Sequence, residues 1–164
     1  MAIYYPLAVG NTWTYKTKDG KTFTNSVTAG DGKRFTMKNT MMDRPSAVQK
    51  DGEAYSSDNF EAGNLQIFLK DTHKKGETWD IKYKANNFEN VLKMTVKETG
   101  VSKTVEGKMF ADVVMLEGDM KIKVNGNLMS ANYLVQYYYA PGVGLILTTS
   151  SLGDAMSLTS YELK

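Results

Sequence analysis

Apolar and polar residues alternate with a period of two along much of this chain. From Val91 to Glu98, Leu92, Met94 and Val96 fall on one face, with Lys93, Thr95 and Lys97 on the other. From Tyr133 to Tyr139, Tyr133, Val135, Tyr137 and Tyr139 share a face, opposite Leu134, Gln136 and Tyr138. Trp79 to Tyr83 alternates as well, and Met120, Ile122 and Val124 alternate with Lys121, Lys123 and Asn125. Met109 to Glu117 is a long apolar run, and Met156 to Leu163 closes the chain as a last strand. Asn64 to Leu69 is apolar enough for a buried strand, with a short helix as the alternative. No helix of three turns stands out. Asp19-Gly20, Asp31-Gly32 and Asp51-Gly52 each precede a strand-like run, and Asn125-Gly126 follows one. Asp-Gly in this setting predicts hairpins on type I′ turns, which need positive φ at both central residues. The pattern predicts an all-β fold. It is a single antiparallel meander of roughly ten to twelve strands, forming a barrel or a strongly curved half-barrel, because closure removes exposed edges.

One stretch repeats. Gly10-Asn11-Thr12-Trp13-Thr14-Tyr15-Lys16 is echoed by Gly76-Glu77-Thr78-Trp79-Asp80-Ile81-Lys82, with Gly, Thr, Trp and Lys at the same spacing. Each copy reads as a strand entry: a glycine turn, a threonine opening an extended run, and a tryptophan set into a core. The expected organisation is one β domain over 1–164 with two similar halves entered near Trp13 and Trp79. No linker, low-complexity tract or charge block marks a boundary.

Composition narrows the function classes. Of 20 basic residues only Arg34 and Arg44 are arginine, and the net charge is +2, which makes nucleic acid a poor partner. The absence of cysteine removes disulfides, zinc-thiolate sites and thiol catalysis. No apolar run is long enough for a transmembrane helix. The lone His73, in Asp71-Thr72-His73-Lys74-Lys75, reads as a solvated loop residue rather than a general base or metal ligand. No cofactor and no metal site is expected. Acids at Asp51, Glu53, Asp58 and Glu61, and Glu117 near Asp119, fit hairpin tips better than a glycosidase pair. Gly142-Val143-Gly144 lacks the other parts of a phosphate loop and reads as a kink or bulge.

Ten methionines are the unusual feature. Flexible, polarizable thioethers fill irregular cores, and they also line cavities that adapt to varied apolar ligands. The candidate ligand-binding residues are Met37, Met94, Met115, Met120, Tyr133, Tyr137 and Tyr139. Gly10, Trp13, Tyr15, Gly76, Trp79, Gly142 and Gly144 are the candidate structural motif.

Three short motifs carry a resemblance. Pro6-Leu7-x-x-Gly10-x-x-Trp13-x-Tyr15 resembles the opening of bacterial cell-envelope domains of unassigned activity, often secreted or lipid-anchored. Gly107-Lys108-Met109-Phe110-Ala111-Asp112-Val113-Val114 resembles their mid-chain strand. Tyr139-Ala140-Pro141-Gly142-Val143-Gly144-Leu145-Ile146 resembles their strand near the C-terminus. The resemblance implies a barrel or half-barrel with a concave face like that of lipoprotein carriers. It also implies a periplasmic, outer-membrane-anchored or secreted location, with the leader absent from this chain. It supplies no catalytic residue. The expected function is therefore a non-catalytic envelope module for structure, assembly or protein interaction. The alternatives are a binder of an apolar, lipid-like molecule, or a carbohydrate-active enzyme or accessory domain. The partner is an apolar small molecule or an envelope protein, and a packed or hollow interior separates the leading two readings.

Overall fold

The alternating runs are strands in a computed structural model that describes residues 2–164. In chain order they are β1 (Thr12–Thr17), β2 (Thr22–Gly30), β3 (Arg34–Asn39), β4 (Ser46–Asp51), β5 (Ala54–Ser57) and β6 (Gln66–Lys70), then β7 (Thr78–Ala85), β8 (Phe88–Val105), β9 (Lys108–Val124), β10 (Asn127–Ala140), β11 (Gly144–Ser150) and β12 (Ala155–Glu162). All belong to one antiparallel sheet, ordered β6-β5-β4-β3-β2-β1-β12-β11-β10-β9-β8-β7. The sheet curls into a nearly closed barrel, with no helix among the described residues. A meander of β1 to β6 and a meander of β7 to β12 are joined by the β1–β12 ladder. The expected faces hold: Leu92, Met94 and Val96 are buried, and Lys93 and Lys97 are exposed.

The turns depart from expectation at the Asp-Gly pairs. Gly20, Gly32 and Gly52 have positive φ, but Asp19, Asp31 and Asp51 do not. Asp51 pairs with Ala54, so Gly52 and Glu53 form the centre of that turn, with glycine first. Asp31 acts through its side chain instead: Oδ1 accepts the Lys33 and Arg34 amides at 2.9 and 2.7 Å. Paired positive φ angles occur at Asn86-Asn87, Glu106-Gly107 and Asn125-Gly126. None of the three Asp-Gly turns anticipated as this type has it, whereas Asn125-Gly126, expected only as a turn, does.

The two glycine entries share a backbone pattern. Gly10 N–H donates to Val27 O at 2.9 Å, Val27 N–H to Asn11 O at 2.9 Å, and Asn11 N–H to Ala8 O at 3.0 Å. Gly76 N–H donates to Val96 O at 2.8 Å, Val96 N–H to Glu77 O at 2.9 Å, and Glu77 N–H to Lys74 O at 2.9 Å. Both glycines have φ above +90°, at +97° and +92°, which a side chain would strain. The tryptophans then diverge. Trp13 is fully buried, whereas Trp79 is half-buried and its Nε1 donates to Ile67 O at 2.9 Å.

That last bond crosses the one joint without a strand ladder. β6 and β7 are consecutive in the chain and lie at opposite ends of the sheet order, where side chains link them. Gln66 Oε1 accepts Lys82 N–H at 3.0 Å, and Asn64 Nδ2 donates to Lys82 O at 3.0 Å. Glu61 Oε1 accepts Lys84 N–H at 3.0 Å, and Lys70 pairs with Glu77 at 2.9 Å. Edge groups of β7 are thus satisfied without a neighbouring strand.

Residues 3–8 stop one end of the barrel. Ile3 O accepts Gly142 N–H at 2.7 Å, Tyr4 OH donates to Asp112 O at 2.9 Å, and Pro6 O accepts Asn11 Nδ2–H at 2.7 Å. Tyr5 sits among Trp13, Tyr55, Phe68 and Tyr139, with ring centroids 5.4 to 6.5 Å away. Trp13 Nε1 donates to Val143 O at 2.7 Å, and Tyr15 OH to Leu145 O at 2.8 Å. The three short motifs of the chain therefore meet at this end. Gly144 is the close point: φ is +116°, and a Cβ there would lie 3.2 Å from Trp13 Nε1. Gly144→Ala is expected to cost about 1–3 kcal/mol, read as a lower urea midpoint with unchanged slope.

β8 and β9 run past this end and fold back over the outside. Gly100 and Asp112, both in the left-handed region, accompany irregular pairing that bends the hairpin. Asp112 tolerates that φ where a β-branched residue would not, which accounts for the aspartate between Phe110 and Val113. Glu106 at the tip pairs with Lys16 at 2.9 Å, and Lys103 lies over the outward Tyr138 ring at 4.8 Å.

Candidate functional site

A cavity of about 530 Å³ occupies the other half of the barrel and opens opposite the plug. Its floor is the aromatic cluster: Tyr5, Tyr15 and Tyr139 line it, with Phe68 beside them. Its apolar wall is Met94, Ile81, Val135 and Tyr137, carried on the inward positions of β7, β8 and β10. Met37 and Val48 face them from β3 and β4. Met41, Met42, Phe60 and Met156 stand at the mouth. Large exposed apolar side chains gather on the hairpins around that mouth: Met41 and Met42, Phe88, Leu128 and Met129, and Leu152.

The structure brings five of the seven candidate ligand residues together here: Met37, Met94, Tyr133, Tyr137 and Tyr139. Met115 pairs with Glu98 and Tyr138 on the outward face, because it alternates with the buried Leu116. Met120 is inside but off the cavity lining; its Sδ accepts the Tyr83 hydroxyl at 3.6 Å. Met109 and Met129 are 67% and 55% exposed, so methionine by itself does not mark the cavity. Tyr5, Phe23, Phe60 and Met156 line the cavity without having stood out as ligand residues. Alternation around Phe23 could have placed it inward; Phe60, in a loop, carried no such signal.

Polar lining residues come almost wholly from the first meander: Asn25, Asn39, Ser46, Ser57 and Asn59, with Thr148 from β11. Arg44 is the one charged residue of the lining. Its Nη2 donates to Asp58 O at 2.7 Å, and Nη1 donates to Pro45 O at 3.2 Å and lies 3.6 Å from Asp58 Oδ1. Burial pushes the Asp58 carboxyl up, but amide hydrogen bonds from Ala47 and Gly63, with Arg44, leave it below its ordinary value. Arg44 and Asp58 thus form a neutralised pair that pins two mouth loops.

The other acids stand away from the cavity. Asp51 and Glu53 are exposed, Glu61 holds Lys84 N–H and Asn64, and Glu117 accepts Gln136 Nε2–H at 2.9 Å. No group of histidines and acids suited to holding a metal occurs among the described residues. Burial keeps the phenols of Tyr5, Tyr15, Tyr137 and Tyr139 well above their ordinary value, so they remain neutral donors.

His73 departs from a solvated loop residue. It is half-buried between β6 and β7, edge-on to Tyr4 at 4.9 Å, and its Nε2 is buried without a hydrogen-bond partner. Burial lowers its pKa from the ordinary 6.5, against the pull of Glu77, Asp71 and Glu53. The unfolded chain then binds the proton more readily, so this contribution to stability is present above pH 6.5 and is lost as pH falls through the depressed value. The urea midpoint is expected to drop between about pH 7.5 and about pH 5.5, and His73→Phe should flatten that drop.

No family model matches the chain, and no curated protein matches it in sequence. Solved structures do match in fold. One is a candidate exported protein with a YmcC-like fold from Bacteroides fragilis, at 13% identity and a TM-score of 0.60, covering 99% of this chain and 100% of that one. Another is a candidate lipoprotein from Parabacteroides distasonis, at 11% identity and a TM-score of 0.61, covering 98% and 99%. At such identities the likeness is one of fold, spanning both chains from end to end. No described helix is long and apolar enough to cross a membrane.

Proposed function

We propose that this barrel is a non-catalytic cell-envelope protein that holds an apolar molecule in its cavity. The observation that carries the reading is the hollow half of the barrel: about 530 Å³, floored by aromatics, walled by thioethers and aliphatics, open at one end and free of lining carboxylates. That volume lies in the range of small-molecule sites. Thioether side chains re-pack at low cost and suit ligands of variable shape. The exported and lipid-anchored character suggested for the two fold relatives supports an envelope location. A filled interior would have favoured a purely structural module, and acids converging in the cleft would have favoured glycoside chemistry.

The test is native mass spectrometry of gently purified protein, combined with binding of a fluorescent acyl probe. Adduct masses or saturable probe binding are expected. Met156→Trp, which puts a larger ring at the mouth, should weaken the probe by about tenfold or more, worth about 1.4 kcal/mol per decade. A clean unliganded mass together with no probe binding would remove the proposal.

A further inference from the structure

The chemistry of the lining also selects the kind of molecule, given the reading of the cavity as a ligand site. We propose that the ligand is an amphiphile with an uncharged, hydrogen-bonding head, such as a hydroxyl, amide or ester head, and one apolar tail. Depth in the cavity and polarity of the wall change together. Deep positions are the floor residues Tyr5, Tyr15 and Tyr139, with Phe68. Toward the mouth, neighbouring strands of the first meander turn polar: Asn25 on β2 stands opposite Asn39 on β3, followed by Ser46 on β4 and Ser57 on β5. The facing wall at the same level offers fewer polar groups, with Met156, its strand partner Thr148 and the Tyr133 ring. A tail fits below, and a head that turns toward β2–β5 meets amides and hydroxyls.

These groups keep bonding capacity for a ligand. Asn39 Oδ1 accepts the Met41 amide at 2.8 Å, which leaves its NH₂ group as donor. Ser57 Oγ accepts the Asn59 amide at 3.1 Å, which leaves its hydroxyl hydrogen to give. Both donors suit a carbonyl or hydroxyl oxygen.

Charge decides against the ionic alternatives. A cationic head finds no carboxylate in the lining. An anionic head finds only Arg44, whose guanidinium already serves the backbone carbonyls of Pro45, Asp58 and Asn59 and faces the ionised Asp58. Either ion gives up hydration without a matching partner, which costs more than a neutral head loses. A neutral head exchanges water for comparable hydrogen bonds and keeps the gain from its tail.

The experiment is competition against the fluorescent acyl probe at neutral pH. The competitors share one chain length, short enough to stay monomeric: a monoacylglycerol, a primary acyl amide, the fatty acid anion and an alkyltrimethylammonium. The two neutral heads are expected to compete at least about tenfold more tightly than the two ions. In Asn39→Leu combined with Ser46→Ala, with folding checked by circular dichroism, the advantage should shrink toward parity while the ions are little changed. Equal or tighter competition by either ion overturns the assignment of the head and leaves the cavity as an apolar site. An advantage that survives in the double variant overturns recognition by the polar row. Failure of the probe and every competitor to bind overturns the ligand site itself, and this inference with it.

Discussion

Trp13→Ala is expected to lower stability by about 3–5 kcal/mol, a large share of what a domain of this size has. Trp13 is 0% exposed and lies at the junction of the plug, β1 and the β10–β11 turn. Truncation opens a void where Tyr5 loses a ring neighbour at 5.4 Å and the space beside Gly144 empties. It also strands Val143 O, which accepts the indole N–H at 2.7 Å. A buried acceptor without its donor adds about 1–3 kcal/mol where no water reaches it. Trp13→Phe keeps part of the ring and should fall between the variant and the parent. Urea unfolding followed by circular dichroism checks this through the midpoint at constant slope. A loss below about 1 kcal/mol for the alanine variant would mean that the plugged end is not the core of the fold.

Asp71→Ala should cost a similar amount, about 3–5 kcal/mol, by a different route. The carboxylate is buried, and Oδ1 accepts both Tyr4 N–H at 2.9 Å and the Tyr55 hydroxyl at 2.8 Å. Oδ2 lies 3.2 Å from Lys50 Nζ. Removal leaves an ammonium that is only 25% exposed facing a fully buried phenol, neither with its acceptor. Asp71→Asn retains an oxygen and should be milder. Because Tyr4 belongs to the plug, the alanine variant should also show faster amide exchange around residues 3–8. Normal protection there, despite a drop in stability, would show that Asp71 serves β5 and β6 rather than the plug.

The strands were legible because a sheet with one dry face writes its period into the chain: Leu92, Met94 and Val96 could be assigned inward without coordinates. The repeated entry was legible because a turn with φ near +90° admits little but glycine. The Asp-Gly turns misled because aspartate has two uses in a turn, and at Asp31 the side chain, not a left-handed backbone, does the work. The cavity was only half legible. Tyr133, Tyr137 and Tyr139 were placed correctly on one face, but facing inward does not distinguish a hole from packing. The polar row escaped altogether, since Asn25, Asn39, Ser46 and Ser57 look like solvent-facing residues until the barrel closes around them. The three motifs of the resemblance concern the plug, so they describe how the barrel is stoppered and not what it holds.

The joint between β6 and β7 sets how far the barrel can adapt. Neighbours elsewhere around the sheet are laced by main-chain ladders, which lengthen only by unzipping. Here Trp79, Gln66, Asn64 and Glu61 reach across on rotatable side chains. Such links lengthen by changing rotamer, at a cost far below that of breaking a strand pair. The girth of the molecule is therefore adjustable along a single line, and a bulkier guest can be housed by easing that hem while the weave on either side stays intact.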